Sequence, residues 1–239
     1  MTKNFLPYRT FRNNAIKLAY QIYKSGFVPD VIYVSLRGGA YLGNVISEYF
    51  KFIRLQDRPV YYAAVVAHSY ADVKVQQRIK VEGWTYNPEY LRQGDRVLLV
   101  DDIFDTGRTI NHLVDIILEK GIPRKDIRIA VHDYKIRKYT GKALPLQPDY
   151  YCRKYVVERE EDEFWIHYCS HELVGLTREE RETMYYAEDK ELREAMEFLF
   201  QGAALGAAQG AGQDIGNGVA PDPVAGNGEP SGKYTTGPK

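Results

Sequence analysis

The sequence predicts an α/β domain: a mainly parallel twisted sheet flanked by helices, with an exposed hairpin loop added. Short β-branched runs at Val31 to Val34, Val60 to Ala67, Val97 to Val100 and Ile127 to Val131 alternate with stretches of helical periodicity. Glycine or proline punctuates these changes of period, as at Gly26, Gly121 and Pro123. The chain has 239 residues, 44% hydrophobic and 27% charged, enough apolar material for a sizeable core and too much for a disordered or fibrous chain.

Taken in order, residues 1–29 carry Lys3, Arg9, Arg12, Lys17 and Lys24, with no acid before Asp30. Such a composition also marks organelle transit peptides. Here Phe11, Ala15, Leu18, Ala19 and Ile22 keep helical spacing and Gly26 follows as a stop, so a first structural helix is expected. Val31 to Val34 reads as a strand, then a glycine turn and a helix from about Ala40 to Phe50. Between the next two apolar strands lies SYADVKVQQRIKVEGW, in which Val73, Val75, Ile79 and Val81 alternate with polar residues as the arms of an exposed hairpin do. A helix from about Thr106 to Lys120 follows the third strand. A further strand is expected over Tyr150 to Val157, and two polar helices from about Thr177 to Phe200 close the body.

The last 39 residues, Gln201 to Lys239, hold ten glycines, four prolines and a single aromatic, a composition expected to leave them disordered beside a 1–200 domain. Lys plus Arg and Asp plus Glu are 32 each, so there is no global basic field to attract nucleic acid, and any anion site must be local. Only Cys152 and Cys169 are present, far apart, which fits a reducing, cytoplasmic setting. No apolar run reaches membrane-spanning length, so no membrane partner is expected.

The chemistry concentrates in VLLVDDIFDTGRTI, residues 97–110. An apolar strand ends in Asp101 and Asp102, then Asp105-Thr106-Gly107-Arg108-Thr109 opens a helix. A glycine turn at a helix start offers backbone N–H groups and the positive end of the helix dipole to a phosphate, and Thr106 and Thr109 add hydroxyls. Adjacent acids at the carboxyl end of a strand face the crevice where open α/β sheets bind ligands, and they accept hydrogen bonds from vicinal sugar hydroxyls. Helix capping alone does not need three acids and two threonines.

This stretch resembles the thirteen-residue phosphoribosyl pyrophosphate motif of the type I phosphoribosyltransferases, and the resemblance extends over about residues 10–175. SLRGGAYLG, residues 35–43, is similar to the family's pyrophosphate loop, with Arg37 as cation and Gly38-Gly39 permitting close backbone approach. The peptide before the basic residue can be cis in such enzymes, which singles out Leu36–Arg37. Ser69-Tyr70 resembles the pair in the family's mobile loop, which shields the reacting sugar from water.

The resemblance also implies the base. Asp105 matches the third acid of the 6-oxopurine branch, which acts on hypoxanthine, guanine or xanthine, and a carboxylate there can take the ring proton that the purine loses. By the same resemblance Lys135 donates to the 6-oxo group, Trp165 stacks on the purine and the Ile166 backbone reads the 2-position. The resemblance further implies a small hood over the base, and there the sequence departs from it: after Trp165-Ile166 it runs His167-Tyr168-Cys169-Ser170-His171-Glu172 instead of the Pro-Trp and acid frequent in bacterial xanthine–guanine enzymes. His167, Cys169 and His171 alternate as metal ligands do but lack a fourth ligand at known spacing for zinc. The expected activity is purine salvage from phosphoribosyl pyrophosphate, with Mg2+ bridging diphosphate and sugar near Asp101 and Asp102, in a dimer or tetramer. The competing expectation is a non-catalytic regulator that binds phosphoribosyl pyrophosphate or nucleotide on the same fold.

Overall fold

The expected first helix, α1 (Tyr8–Lys24), buries Phe11, Ala15, Leu18, Ala19 and Ile22 on one face and ends before Gly26, whose φ of 79° suits a residue without a Cβ. The computed structural model describes residues 2–53, 59–70, 78–141, 145–171, 173, 175–186 and 189–209. These fall into two compact units, Met1–Val174 and Gly175–Lys239.

In the first unit the strands are β1 (Thr2–Phe5), β2 (Val31–Leu36), β3 (Tyr61–Tyr70), β4 (Arg78–Trp84), β5 (Val97–Phe104), β6 (Ile127–Arg137), β7 (Tyr150–Val157) and β8 (Phe164–His167). The helices α2 (Ala40–Ile53) and α3 (Arg108–Glu119) follow β2 and β5. Six strands form one sheet in the order β4-β3-β2-β5-β6-β7, parallel throughout except for β4, which runs antiparallel to β3. β3 and β4 are the arms of the expected hairpin, while Val73 and Val75 lie outside the described residues.

Successive side chains of β2 point to opposite faces, and the two cores follow from that alternation. Ile32 and Val34, with Leu98 and Val100, pack against Phe11, Leu18, Ile22, Leu42 and Ile46 of α1 and α2. Val31 and Tyr33, with Val97 and Leu99, pack against Ile110, Leu113, Val114 and Ile117 of α3. Each such fully buried aliphatic chain contributes roughly 1.5–3 kcal/mol.

The strand order reverses between β2 and β5, the switch point at which open sheets hold ligands beyond their carboxyl ends. Pairing of β2 with β5 stops at Val34↔Val100, whereas β5 stays paired with β6 as far as Phe104↔Tyr134. Asp101 and Asp102 therefore lie within β5, above the point where β2 turns away. The strand outlasts the apolar run because β6 continues to satisfy its backbone. For the same reason β6 runs to Arg137 and includes Lys135, beyond the expected strand end at Val131.

Thr2–Phe5 had no strand expectation, yet β1 pairs in parallel with β8, Lys3 opposite Trp165 and Asn4 opposite Ile166. This two-stranded sheet is the hood. In the second unit, α4 (Arg178–Arg181) starts at a capping box in which Thr177 and Glu180 bond each other's backbone N–H. A π turn over Glu182–Tyr186 follows it directly, and α5 (Lys190–Gln209) is the second expected helix. The disorder expected from Gln201 onward is corrected for nine residues: α5 continues to Gln209. The alanine-rich run QGAALGAAQ favours helix, and averaging it with the glycines and prolines beyond hid that preference. The remainder of the segment, 210–239, lies outside the described residues.

Candidate active site

The loop from β2 to α2 lies directly on β5. A Cβ on Gly38 would overlap three atoms of the Asp102 carboxyl group, and one on Gly39 would stand 2.5 Å from the Val100 carbonyl oxygen. Glycine is required at both positions by close approach. The Leu36–Arg37 peptide is cis, as the resemblance singled out, and Arg37 is exposed beside the loop.

Asp102 is buried and Asp101 partly so. The Asp102 N–H donates to Asp101 Oδ1 at 2.9 Å, and the Ser35 hydroxyl donates to the same carboxyl. Burial, and then the neighbouring Asp102 charge, push the Asp101 carboxyl well above the usual carboxylate range. Burial raises Asp102 as well, opposed by the nearby His171 ring. His171 is a site residue the sequence did not single out as such. Burial lowers its own pKa, and its Nδ1 is buried with no hydrogen-bond partner among the described residues.

Gly107, at a φ of 66°, opens α3 with no side chain to cap the helix, and Thr106, Arg108 and Thr109 surround it. The Asn111 N–H and side-chain amide both donate to the Gly107 carbonyl at 2.9 Å, which fixes the turn from the helix side. Four consecutive positions thus present backbone and hydroxyl donors at a helix N-terminus, a cradle fit for a phosphate dianion.

Asp105 projects from the same turn to the ends of β6 and β8. Its Oδ2 pairs with Arg137 Nη2 at 2.7 Å, and its Oδ1 is buried with no hydrogen-bond partner among the described residues. Burial raises its pKa, against the lowering effect of Arg137 and Lys135. Lys135, only 3% exposed, donates to Glu163 Oε2 at 2.5 Å and to the Phe164 carbonyl at 2.8 Å. Arg137 Nε donates to Glu163 Oε1 at 2.6 Å, and the Tyr139 hydroxyl donates to that oxygen at 2.9 Å. Burial would raise the Glu163 carboxyl, but Arg137, Lys135 and Tyr139 together bring it down to about 2. Neither Glu163 nor Arg137 stood out in the sequence. The acidic run EREEDEF reads as a solvated face, and Arg137 reads as one charge among several.

Trp165 is 44% exposed on β8, while Ile166 beside it is buried. A second buried network supports the hood from beneath. Arg153 donates to both oxygens of Asp133 at 2.7 and 2.9 Å, His132 Nδ1 lies 2.8 Å from Asp133, and the Tyr168 hydroxyl donates to it at 2.6 Å. Tyr168, just after β8, is thereby tied to β6 and β7. Ser69 and Tyr70 stand on β3 opposite Ile79 and Arg78, and their side chains lie outside the described residues.

The structure brings Arg37, Gly38, Gly39, Asp101, Asp102 and the 106–109 turn to the switch point, and Asp105 and Lys135 to one cluster beside the strand of Trp165. A phosphoribosyl transferase domain family matches residues 1–169. The chain belongs to that family. A Bifunctional protein pyrR of Enterococcus faecalis is 27% identical over 161 residues, 64% of this chain and 86% of that protein. Two solved structures share the phosphoribosyl transferase fold. The purine phosphoribosyltransferase from Pyrococcus horikoshii is 22% identical at a TM-score of 0.50, covering 70% of this chain and 93% of its own. A hypothetical protein from Neisseria gonorrhoeae with bound ppGpp is 18% identical at a TM-score of 0.53, covering 81% and 97%.

Proposed function

We propose that this phosphoribosyltransferase joins a 6-oxopurine to phosphoribosyl pyrophosphate, releasing diphosphate and a nucleoside 5′-monophosphate. The observation that carries the reading is the convergence of Asp105 and Lys135, thirty positions apart, into one charged cluster beside the strand of Trp165 and Ile166. An ammonium has donors and no acceptor, so it matches an oxo group and not an amino group.

In this reading Arg37 and the Gly38-Gly39 backbone hold the diphosphate, Asp101 and Asp102 accept from the sugar hydroxyls, and the 106–109 turn holds the 5′-phosphate. As the bond from C1′ to diphosphate breaks and the bond from C1′ to the purine nitrogen forms, the ring proton passes to the Asp105 carboxylate. Lys135 binds the 6-oxo group, Trp165 covers the ring and the Ile166 backbone meets the 2-position. Ser69 and Tyr70, by family resemblance, belong to the segment that excludes water. The Asp101–Asp102 pair fits a hard cation shared with substrate phosphates, since burial disfavours both carboxyls as free anions and the Asp102 charge disfavours Asp101 further. Mg2+ held there would neutralise the leaving diphosphate.

A non-catalytic regulator is the second reading, and one observation favours it: Asp105 and Lys135 are each already engaged by an ion pair. Purified protein with Mg2+ and phosphoribosyl pyrophosphate, offered hypoxanthine, guanine, xanthine, adenine, orotate and uracil in turn, separates the two. Turnover confined to the oxopurines is the expected result. Turnover of orotate or uracil alone refutes the purine assignment, and binding without any turnover favours the regulator.

A further inference from the structure

The cluster around Asp105 contains more than base contact requires. Arg137 lies between two carboxylates, with Nη2 on Asp105 Oδ2 at 2.7 Å and Nε on Glu163 Oε1 at 2.6 Å. Glu163 in turn engages Lys135 at 2.5 Å and Tyr139 at 2.9 Å. Two cations and two anions balance, so the cluster carries no net charge into its partly buried setting. Side-chain exposure is 3% for Lys135, 10% for Glu163, 24% for Arg137 and 29% for Asp105.

Two consequences follow for what each group has left to offer. An ammonium has three N–H donors, and Lys135 gives two of them, to Glu163 and to the Phe164 carbonyl, which leaves one in a fixed direction. A carboxylate has two oxygens, and Arg137 takes Oδ2 of Asp105 while Oδ1 remains buried and without a hydrogen-bond partner among the described residues. Lys135 keeps one N–H and Asp105 one oxygen without a hydrogen-bond partner among the described residues, and the directions of both are set by their pairs with Glu163 and Arg137.

The geometry points to Glu163 as the positioning residue of the base site. Through Lys135 it aims the single remaining ammonium N–H, and through Arg137 it confines Asp105 to accepting through Oδ1. Glu163 and Arg137 thereby determine specificity for a base that offers one acceptor and one ring N–H together. This deepens the oxopurine reading and rests on it.

The test uses the full-length protein and equilibrium calorimetry with two probes, inosine 5′-monophosphate and ribose 5-phosphate. Glu163→Gln keeps the size of the side chain but loses the anion that holds both cations. It is expected to weaken inosine monophosphate binding about tenfold or more through the Lys135 contact to the 6-oxo group, the nucleotide having already lost the ring proton that Asp105 takes, while ribose 5-phosphate binding stays within about twofold. In turnover, the KM for the base rises while the KM for phosphoribosyl pyrophosphate does not. Arg137→Met should show the same split, and Arg137→Lys should recover part of it, since an ammonium reaches one of the two carboxylates. Retained ribose 5-phosphate binding shows that each variant is folded. If Glu163→Gln does not fold, the Arg137 pair decides alone. A wild type that binds inosine monophosphate no better than uridine monophosphate defeats the oxopurine reading. A wild type that discriminates, beside variants that discriminate equally well, defeats the positioning role of Glu163.

Discussion

Replacing Gly39 by alanine tests whether the phosphate site depends on backbone contact between the β2–α2 loop and β5. The new Cβ would stand 2.5 Å from the Val100 carbonyl oxygen and 3.0 Å from both the Asp101 Cα and the Ser35 carbonyl oxygen, where ordinary contact begins at 3.4 Å. All three neighbours are backbone, so no rotamer change relieves the overlap and the loop must retreat by about 0.9 Å. That retreat strains the Gly39 N–H bond to the Ser35 carbonyl and the Gly43 N–H bond to the Gly39 carbonyl, both 2.9 Å. At roughly 0.5–1.5 kcal/mol for each bond, the stability loss is about 1–3 kcal/mol, or a fall in melting temperature of roughly 3–10 °C. A displacement of about 1 Å in a positioning element costs on the order of a hundredfold in rate. Calorimetric titration with phosphoribosyl pyrophosphate and thermal melts read the two effects separately. Gly83→Ala serves as the control, since a Cβ there meets nothing within 4 Å. A Gly39→Ala protein that melts early yet binds phosphoribosyl pyrophosphate within twofold of wild type would falsify the assignment of this loop to the diphosphate.

Asp105→Asn keeps the shape of the side chain and removes the anion, so single-turnover transfer to hypoxanthine is expected to slow by roughly 10²–10⁴; near-normal rates would reduce Asp105 to a structural role. Because burial raises the Asp105 pKa and the reaction needs its anion, wild-type transfer should fail on acidification at a pH above the ordinary carboxylate value of 3.8. Glu163 has its folded pKa lowered from 4.5 to about 2, so its contribution is fully present above pH 4.5 and is lost as pH falls toward 2. Urea melts should therefore show Glu163→Gln less stable than wild type by on the order of 1–3 kcal/mol at pH 7, a gap that closes in acid; a gap independent of pH contradicts the ion-pair account. Tyr168→Phe removes a buried hydroxyl bonded to Asp133 and should lower stability by about 1.5–3 kcal/mol in denaturant titration. A loss within experimental error would show that this bond does not tie the hood to the sheet.

Legibility in the sequence followed the range of the interaction. α1 was readable to the residue because five apolar positions at helical spacing are a local signal, and all five are buried. The 106–109 turn is readable because its glycine and hydroxyl residues are contiguous. The carboxyl ends of β5 and β6 are not legible in their apolar runs, since pairing between parallel neighbours carries both strands past those runs. Glu163 is hidden inside a run of acids, and only the fold distinguishes the one that meets two cations in a buried cluster from Glu158, Glu161 and Asp162, whose pairs with Lys138 and Arg159 are exposed. Asp133 was hidden differently, because a carboxylate in the middle of a strand gives no hint of the arginine, histidine and tyrosine that surround it.

The pairing of β1 with β8 also bears on the order in which the halves of the site become available. β2 and β5, with their loops, lie within residues 31–109 and can associate as soon as that stretch of chain exists. Among the described residues the hood strand has no partner until Thr2 meets Phe164, a contact of long sequence separation that is slow to form. The part proposed to grip phosphate and sugar is thus close-knit in sequence, whereas the edge bearing Trp165 and Ile166 exists only once two distant segments of the chain have met.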